Sequence, residues 1–69
     1  MEQNELTTRF TYHGPKADQV PKYEAIRNKA REFAELVAEL TPESREQSLA
    51  ITAIEEASMW ANAAIARRS

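Results

Sequence analysis

The stretch Met-Trp-Ala-Asn-Ala-Ala-Ile-Ala, residues 59–66, constrains this chain more than any other, because every residue in it except Asn62 is apolar. A helix built from it has almost no polar face, and a helix that is apolar all round must be buried. A chain of 69 residues has too little other material to bury it. The segment therefore points outward, to further copies of the same chain or to a partner.

The length allows one domain, residues 1–69. Small domains bury a poor fraction of their surface and are marginal alone. Cysteine is absent, so there is neither a disulfide staple nor a thiolate for catalysis or metal binding, and the single histidine, His13, cannot build a zinc site by itself. No metal and no cofactor are expected, and assembly into a compact homo-oligomer is the expected source of the missing stability. The net charge of −2 argues against DNA or an acidic membrane surface as the main partner. The N-terminus MEQNELTTRF lacks the apolar core of a signal peptide, and no run approaches a membrane span, so the expectation is an intracellular, soluble protein.

The pattern predicts an all-α fold: an antiparallel helical hairpin preceded by a short N-terminal arm or helix over residues 1–17. Residues 1–10 form a polar lead-in. Phe10-Thr11-Tyr12-His13 then alternates ring and polar groups up to the Gly14-Pro15 turn, which reads as an extended arm. The first helix spans residues 18–40. Asp18 is its expected N-cap and Pro21 sits in its first turn. Tyr23, Ile26, Ala30, Phe33, Val37 and Leu40 recur at spacings of three and four and make one apolar stripe. Thr41-Pro42-Glu43 predicts the start of the second helix, with Thr41 as N-cap, Pro42 at the first helical position and Glu43 facing the dipole. That helix covers residues 42–68. Ala50, Ile54, Ala57, Ala61 and Ala64 form the stripe expected to meet the first helix. Leu49, Ala53, Trp60 and Ala63 form a surplus stripe for a subunit interface.

Catalysis finds no support. Glu55 and Glu56 are adjacent and project about 100° apart on a helix, so they cannot readily flank one substrate. No serine–histidine–acid set and no glycine-rich phosphate cradle is present. Met59, Trp60, Ala61 and Ala64 read as oligomer interface, and Asn62 needs a partner if it is buried. The rings of the arm belong to no helical stripe. They either cap the hairpin or stack on a planar base. Arg27 borders the first helix's stripe and either snorkels to water or bonds phosphate. Arg67 ends the second helix, and a three-fold axis there would gather a cationic pocket.

Four segments together carry a resemblance: Phe10-Thr11-Tyr12-His13-Gly14-Pro15, then Tyr23-Glu24-Ala25-Ile26-Arg27, then residues 42–50 (PESREQSLA), and then residues 59–67 (MWANAAIAR). On these the chain resembles the phage anti-CBASS protein 2 family, whose members disarm a bacterial defence that signals with cyclic oligonucleotides. The resemblance implies a sponge, a homohexamer that binds the messengers without cleaving them, in the cytoplasm of the infected bacterial host. It implies two ligand classes, cyclic dinucleotides such as 3',3'-cGAMP between paired subunits and cyclic trinucleotides such as cyclic tri-AMP where three subunits meet. Carried onto this sequence, Tyr12 stacks on a dinucleotide base, His13 lies beside it, Arg27 faces its phosphate, and Arg67, or its neighbour Arg68, serves the trinucleotide. Gly14 stands where relatives often carry a bulkier residue. The competing expectation is a structural or regulatory hairpin that binds other proteins through its apolar face.

Overall fold

The computed structural model describes residues 2–69. It is all-helical: α1 (Gln3–Phe10), an extended link, a single 3-10 turn (Ala17–Gln19), α2 (Val20–Leu40) and α3 (Arg45–Arg68). The lead-in is thus a helix, and Phe10 is its last residue rather than part of the extended arm, which begins at Thr11. Glu5 in the first turn and Arg9 in the last complement the dipole of α1, and they bond each other at 3.0 Å across one turn.

Asp18 does not cap α2. Gln19, with helical φ/ψ, precedes the helix directly, so the 3-10 turn runs into it without the extended break that a side-chain cap requires. That break falls at Lys16. There the Gln19 N–H donates to the Lys16 carbonyl at 2.9 Å, and the Lys16 N–H donates to Gln19 Oε1 at 3.2 Å.

Thr41 likewise closes α2 instead of opening α3. Its backbone is extended, as the residue before a proline prefers. Its N–H and its Oγ1 both donate to the Val37 carbonyl, at 3.1 and 2.6 Å. The cap of α3 is Ser44, whose Oγ accepts from the Gln47 N–H at 3.1 Å. The Gln47 amide reaches back across the turn and donates to the Thr41 carbonyl at 3.1 Å, which ties the two helix ends together.

α2 and α3 run antiparallel. Tyr23, Ile26, Ala30, Ala34 and Val37 are half-buried on α2; Ala50, Ile51, Ile54, Ser58, Ala61 and Ile65 are half-buried on α3. The face of α2 is turned from the expected one. Ala34 takes a place in the seam, while Phe33 and Leu40 are exposed. Small side chains at Ala30 and Ala34 admit the partner helix closely, and the Phe33 ring is left lining an apolar groove of about 650 Å³ with Ile26, Val37, Ala53 and Ile54. On α3, Ala57 and Ala64 are exposed, and Ile51 and Ser58 turn inward.

The chain is a single layer. Its extents are 45 × 30 × 12 Å, and the short one is the diameter of one helix with its side chains. Globular domains bury a core between at least two layers. Here no hydrophobic side chain among the described residues is fully buried. The exposed surface is 5604 Å², against roughly 4,400 Å² for a compact monomer of 7.8 kDa. Met59 and Trp60 are each 64% exposed. No described helix is long and apolar enough to cross a membrane.

Candidate functional site

The one fully buried residue among those described is polar. Gln19 is 2% exposed, and its Nε2 donates to the Ile65 carbonyl at 3.1 Å. That carbonyl lies in the last turn of α3, where the helix supplies no partner of its own. Ser69 Oγ donates to the same oxygen at 2.8 Å. Gln19 therefore clamps the end of the arm to the end of α3. Nothing in the sequence pattern marked it, because the bond spans 46 positions.

α1 lies against the same end of α3, and a groove of about 520 Å³ opens between them. Glu5, Arg9 and Phe10 line it from α1, and Trp60, Arg67 and Arg68 line it from α3. Arg68 grips Glu5 through both terminal guanidinium nitrogens, at 3.1 and 2.6 Å, and Arg9 bonds the same carboxylate. Arg68, and after it Arg9, lower the Glu5 pKa to about 2. Glu5 in turn raises that of Arg68. Arg67 donates to the Arg9 carbonyl at 3.5 Å and has no carboxylate partner among the described residues. Three guanidinium groups thus share one groove with one carboxylate and two aromatic rings. Fork-shaped pairing of this kind suits carboxylate and phosphate oxygens alike. Both Arg67 and Arg68 reach the groove, whereas Glu5 and Arg9 were not singled out from the sequence.

The residues of the arm sit beside this end. Tyr12 is 87% exposed in the extended link. His13 is half-buried and turned back, with Nε2 2.8 Å from the Thr8 carbonyl of α1. Gly14 has no left-handed backbone, and a methyl group there would meet the Tyr12 ring at 3.5 Å. Arg27 is exposed on α2. Its helix neighbours Lys29 and Arg31 pair with Glu32 and Glu35, at 3.2 and 2.9 Å, while Arg27 has no ion-pair partner among the described residues. No hydrogen bond joins Tyr12, His13 and Arg27 to one another within the chain. Asn62 turns its Oδ1 into the protein, where it is buried without a hydrogen-bond partner.

Among the described residues, no group of three carboxylate, imidazole or thiolate side chains is placed to hold a metal ion. What the surface offers is cations and exposed rings, which bind anions and planar groups.

A family model described as Acb2/Tad1, hairpin domain, matches residues 2–66, nearly the whole chain. No curated protein and no solved structure matches. The chain belongs to the Acb2/Tad1 hairpin family, which is the anti-CBASS protein 2 family. Membership implies an anti-CBASS role as a cyclic-nucleotide sponge, a binding protein rather than an enzyme.

Proposed function

We propose that this member of the Acb2/Tad1 hairpin family captures the cyclic di- and trinucleotide messengers of bacterial CBASS defence and withholds them, intact, from their effectors in the cytoplasm of the infected host. The match of the family model over residues 2–66 carries this reading. The physical chemistry of the chain supports it. A cyclic dinucleotide brings two phosphates and two flat bases, and a two-fold interface answers both with one ring and one cation per chain. Tyr12, exposed on the arm, is the ring, and Arg27, with no ion-pair partner among the described residues, is the cation, with His13 beside the base. A cyclic trinucleotide needs three of each, and Arg67 in the α1–α3 groove is the residue for a three-fold site.

The assembly in this proposal is a homohexamer. A one-layer chain that exposes Met59 and Trp60 and about 1,200 Å² more than a compact monomer gains its second layer from further copies. Met59, Trp60, Ala61 and Ala64 belong to that seam. Sequestration needs affinity and abundance, so no catalytic group is required.

Calorimetry with 3',3'-cGAMP and cyclic tri-AMP, followed by heat denaturation and mass analysis of the released ligand, tests the proposal. Tight binding and intact release are expected. Absence of binding by the assembled protein, or release of linear products, overturns it. A second reading, a hairpin that only binds other proteins, draws on the exposed apolar groove between α2 and α3. Under it, Tyr12→Ala and Arg27→Ala leave function untouched; loss of messenger capture in an intact Tyr12→Ala assembly refutes it.

A further inference from the structure

The groove between α1 and α3 already holds an anion, and that anion belongs to the chain itself. Glu5 lies where a phosphate would lie: both nitrogens of the Arg68 fork are on its oxygens, and Arg9 Nε is on one of the same oxygens at 3.0 Å. Among the described residues, the only other hydrogen bond from α3 to α1 is the 3.5 Å contact of Arg67 with the Arg9 carbonyl. α1 has no buried residue of its own. Its attachment to α3 therefore rests on the Glu5 carboxylate and on the Phe10 and Trp60 rings that line the shared groove.

We propose that Glu5 is a built-in competitor for the arginines of this groove, and that an entering phosphate displaces it and frees α1 from α3. Arg67, with no carboxylate partner among the described residues, meets the anion first. Arg68 then exchanges one set of acceptor oxygens for another, since carboxylate and phosphate both accept its fork, while Arg9 keeps its bond to Glu5 within α1 and leaves with that helix. The exchange is feasible because the pair is partly solvated: Arg68 is 51% exposed and Glu5 29%, so the competing bond is screened and weak. Departure of Glu5 removes a negative charge from beside the incoming one. The consequence is selectivity, because a small monoanion that engages one arginine leaves α1 closed, while a ligand with several phosphates opens it. The nucleotide arm of the test rests on the sponge reading; the α1 gate itself does not.

The test uses the full chain, isotope-labelled, and the Glu5→Gln variant. The amide signals of Gln3–Phe10 in the variant define the released helix. Inorganic pyrophosphate added to the unsubstituted protein, at constant ionic strength held with chloride, should move the α1 signals toward the variant's positions and leave the variant's own α1 signals in place. Signals of α1 that stay still, or that move only as chloride moves them, overturn the gate. In calorimetry with cyclic tri-AMP, Glu5→Gln should bind about two- to five-fold tighter, the scale of an exposed ion pair. Weaker or unchanged binding by the variant overturns the competitor role. If neither protein binds cyclic tri-AMP, the trinucleotide part of the sponge reading fails, and the pyrophosphate titration still decides the gate.

Discussion

Replacing Gln19 with alanine should loosen the end of the molecule that carries the candidate site while leaving the rest of the hairpin formed. Gln19 is 2% exposed and makes two side-chain hydrogen bonds, one to the Ile65 carbonyl and one from the Lys16 N–H. Each is worth about 0.5–1.5 kcal/mol net, so their joint loss costs roughly 1–3 kcal/mol. The Ile65 carbonyl keeps its bond from Ser69 Oγ, and the Lys16 N–H lies near solvent, which favours the lower half of that range. The total stability of a chain of this size is on the order of 3–10 kcal/mol, so even 1 kcal/mol is a sizeable share. Thermal unfolding followed by circular dichroism should show a fall of about 4–8 °C for each kcal/mol lost. Scans at several protein concentrations separate this effect from any change in assembly. Gln19→Glu sharpens the test. Its carboxylate can still accept from Lys16 but faces the Ile65 oxygen without a proton, so at neutral pH it should be worse than alanine. Below its own pKa the carboxylic acid regains a donor, and the gap to alanine should close. A melting point for Gln19→Ala within a degree of the unsubstituted protein would show that the buried amide is incidental. So would Gln19→Glu behaving like alanine at every pH.

Three further outcomes follow from the same geometry. Trp60, 64% exposed in the single chain, stands to bury about 160 Å² more in an assembly; at about 25 cal/mol per Å² that is up to about 4 kcal/mol per chain. Trp60→Ala should therefore shift sedimentation toward smaller species at micromolar concentration, and an unchanged sedimentation profile would remove Trp60 from the interface. Gly14→Ala should stabilise by about 0.4–1 kcal/mol, because the backbone there is not left-handed and the new methyl group meets the Tyr12 ring at an ordinary 3.5 Å; a lower melting point would contradict this. Glu5 has its pKa lowered from 4.5 to about 2 by Arg68 and Arg9, so docking of α1 is fully supported above pH 4.5 and is lost as pH falls toward 2. Carbon-13 titration of the Glu5 carboxyl checks the direction, and an ordinary midpoint near 4.5 would mean that α1 is not held there in solution.

The local code of the chain was legible where one signal acted alone. α2 ends at Leu40 because Thr41 precedes Pro42, and its body follows the spacing of Tyr23, Ile26, Ala30 and Val37. Between the helices two capping signals stand three residues apart, Thr41 and Ser44, and both suit an N-cap. The choice fell to Ser44 because the link must also turn the chain back, and Gln47 then spans from its place in α3 to the Thr41 carbonyl. Ser44 and Gln47 stand at capping-box spacing, so the sequence carries a signal for the later start as well. Phe33 misled for a different reason. A stripe defined by periodicity alone is wider than the seam, and the alanines decide which edge of it is pressed against the partner helix. α1 has only 8 residues and is too short to be stable by propensity alone; what holds it is the pairing of Glu5 with Arg68, 63 positions away. Gln19 and Ile65 are a second such pair. The candidate site was thus readable in its residue types, ring and cation, and unreadable in its long-range attachments.

Those attachments all fall at one end. The turn from Thr41 to Ser44 closes the hairpin at its far end, with exposed Leu40 beside it. At the opposite end the start of α2 meets the close of α3 through Gln19, and α1 is strapped on by Glu5. The arm with Tyr12 and His13 leads into that end, Arg9, Arg67 and Arg68 gather there, and Arg27 lies two turns into α2 from it. In a layer 12 Å thick, no such group can be sheltered by the chain's own second layer. A phosphate bound there by one copy alone stays in water, where each ion pair is screened and weak. Covering the same groups with a second layer lowers the local dielectric. That strengthens the attraction between ligand phosphates and cations with no ion-pair partner among the described residues, such as Arg67 and Arg27. The cost of desolvating those cations offsets part of the gain. On the proposed function, assembly and ligand capture are therefore coupled through one thin end of the hairpin. A substitution that dissolves the assembly should weaken messenger binding even when, like Trp60→Ala, it removes no charge.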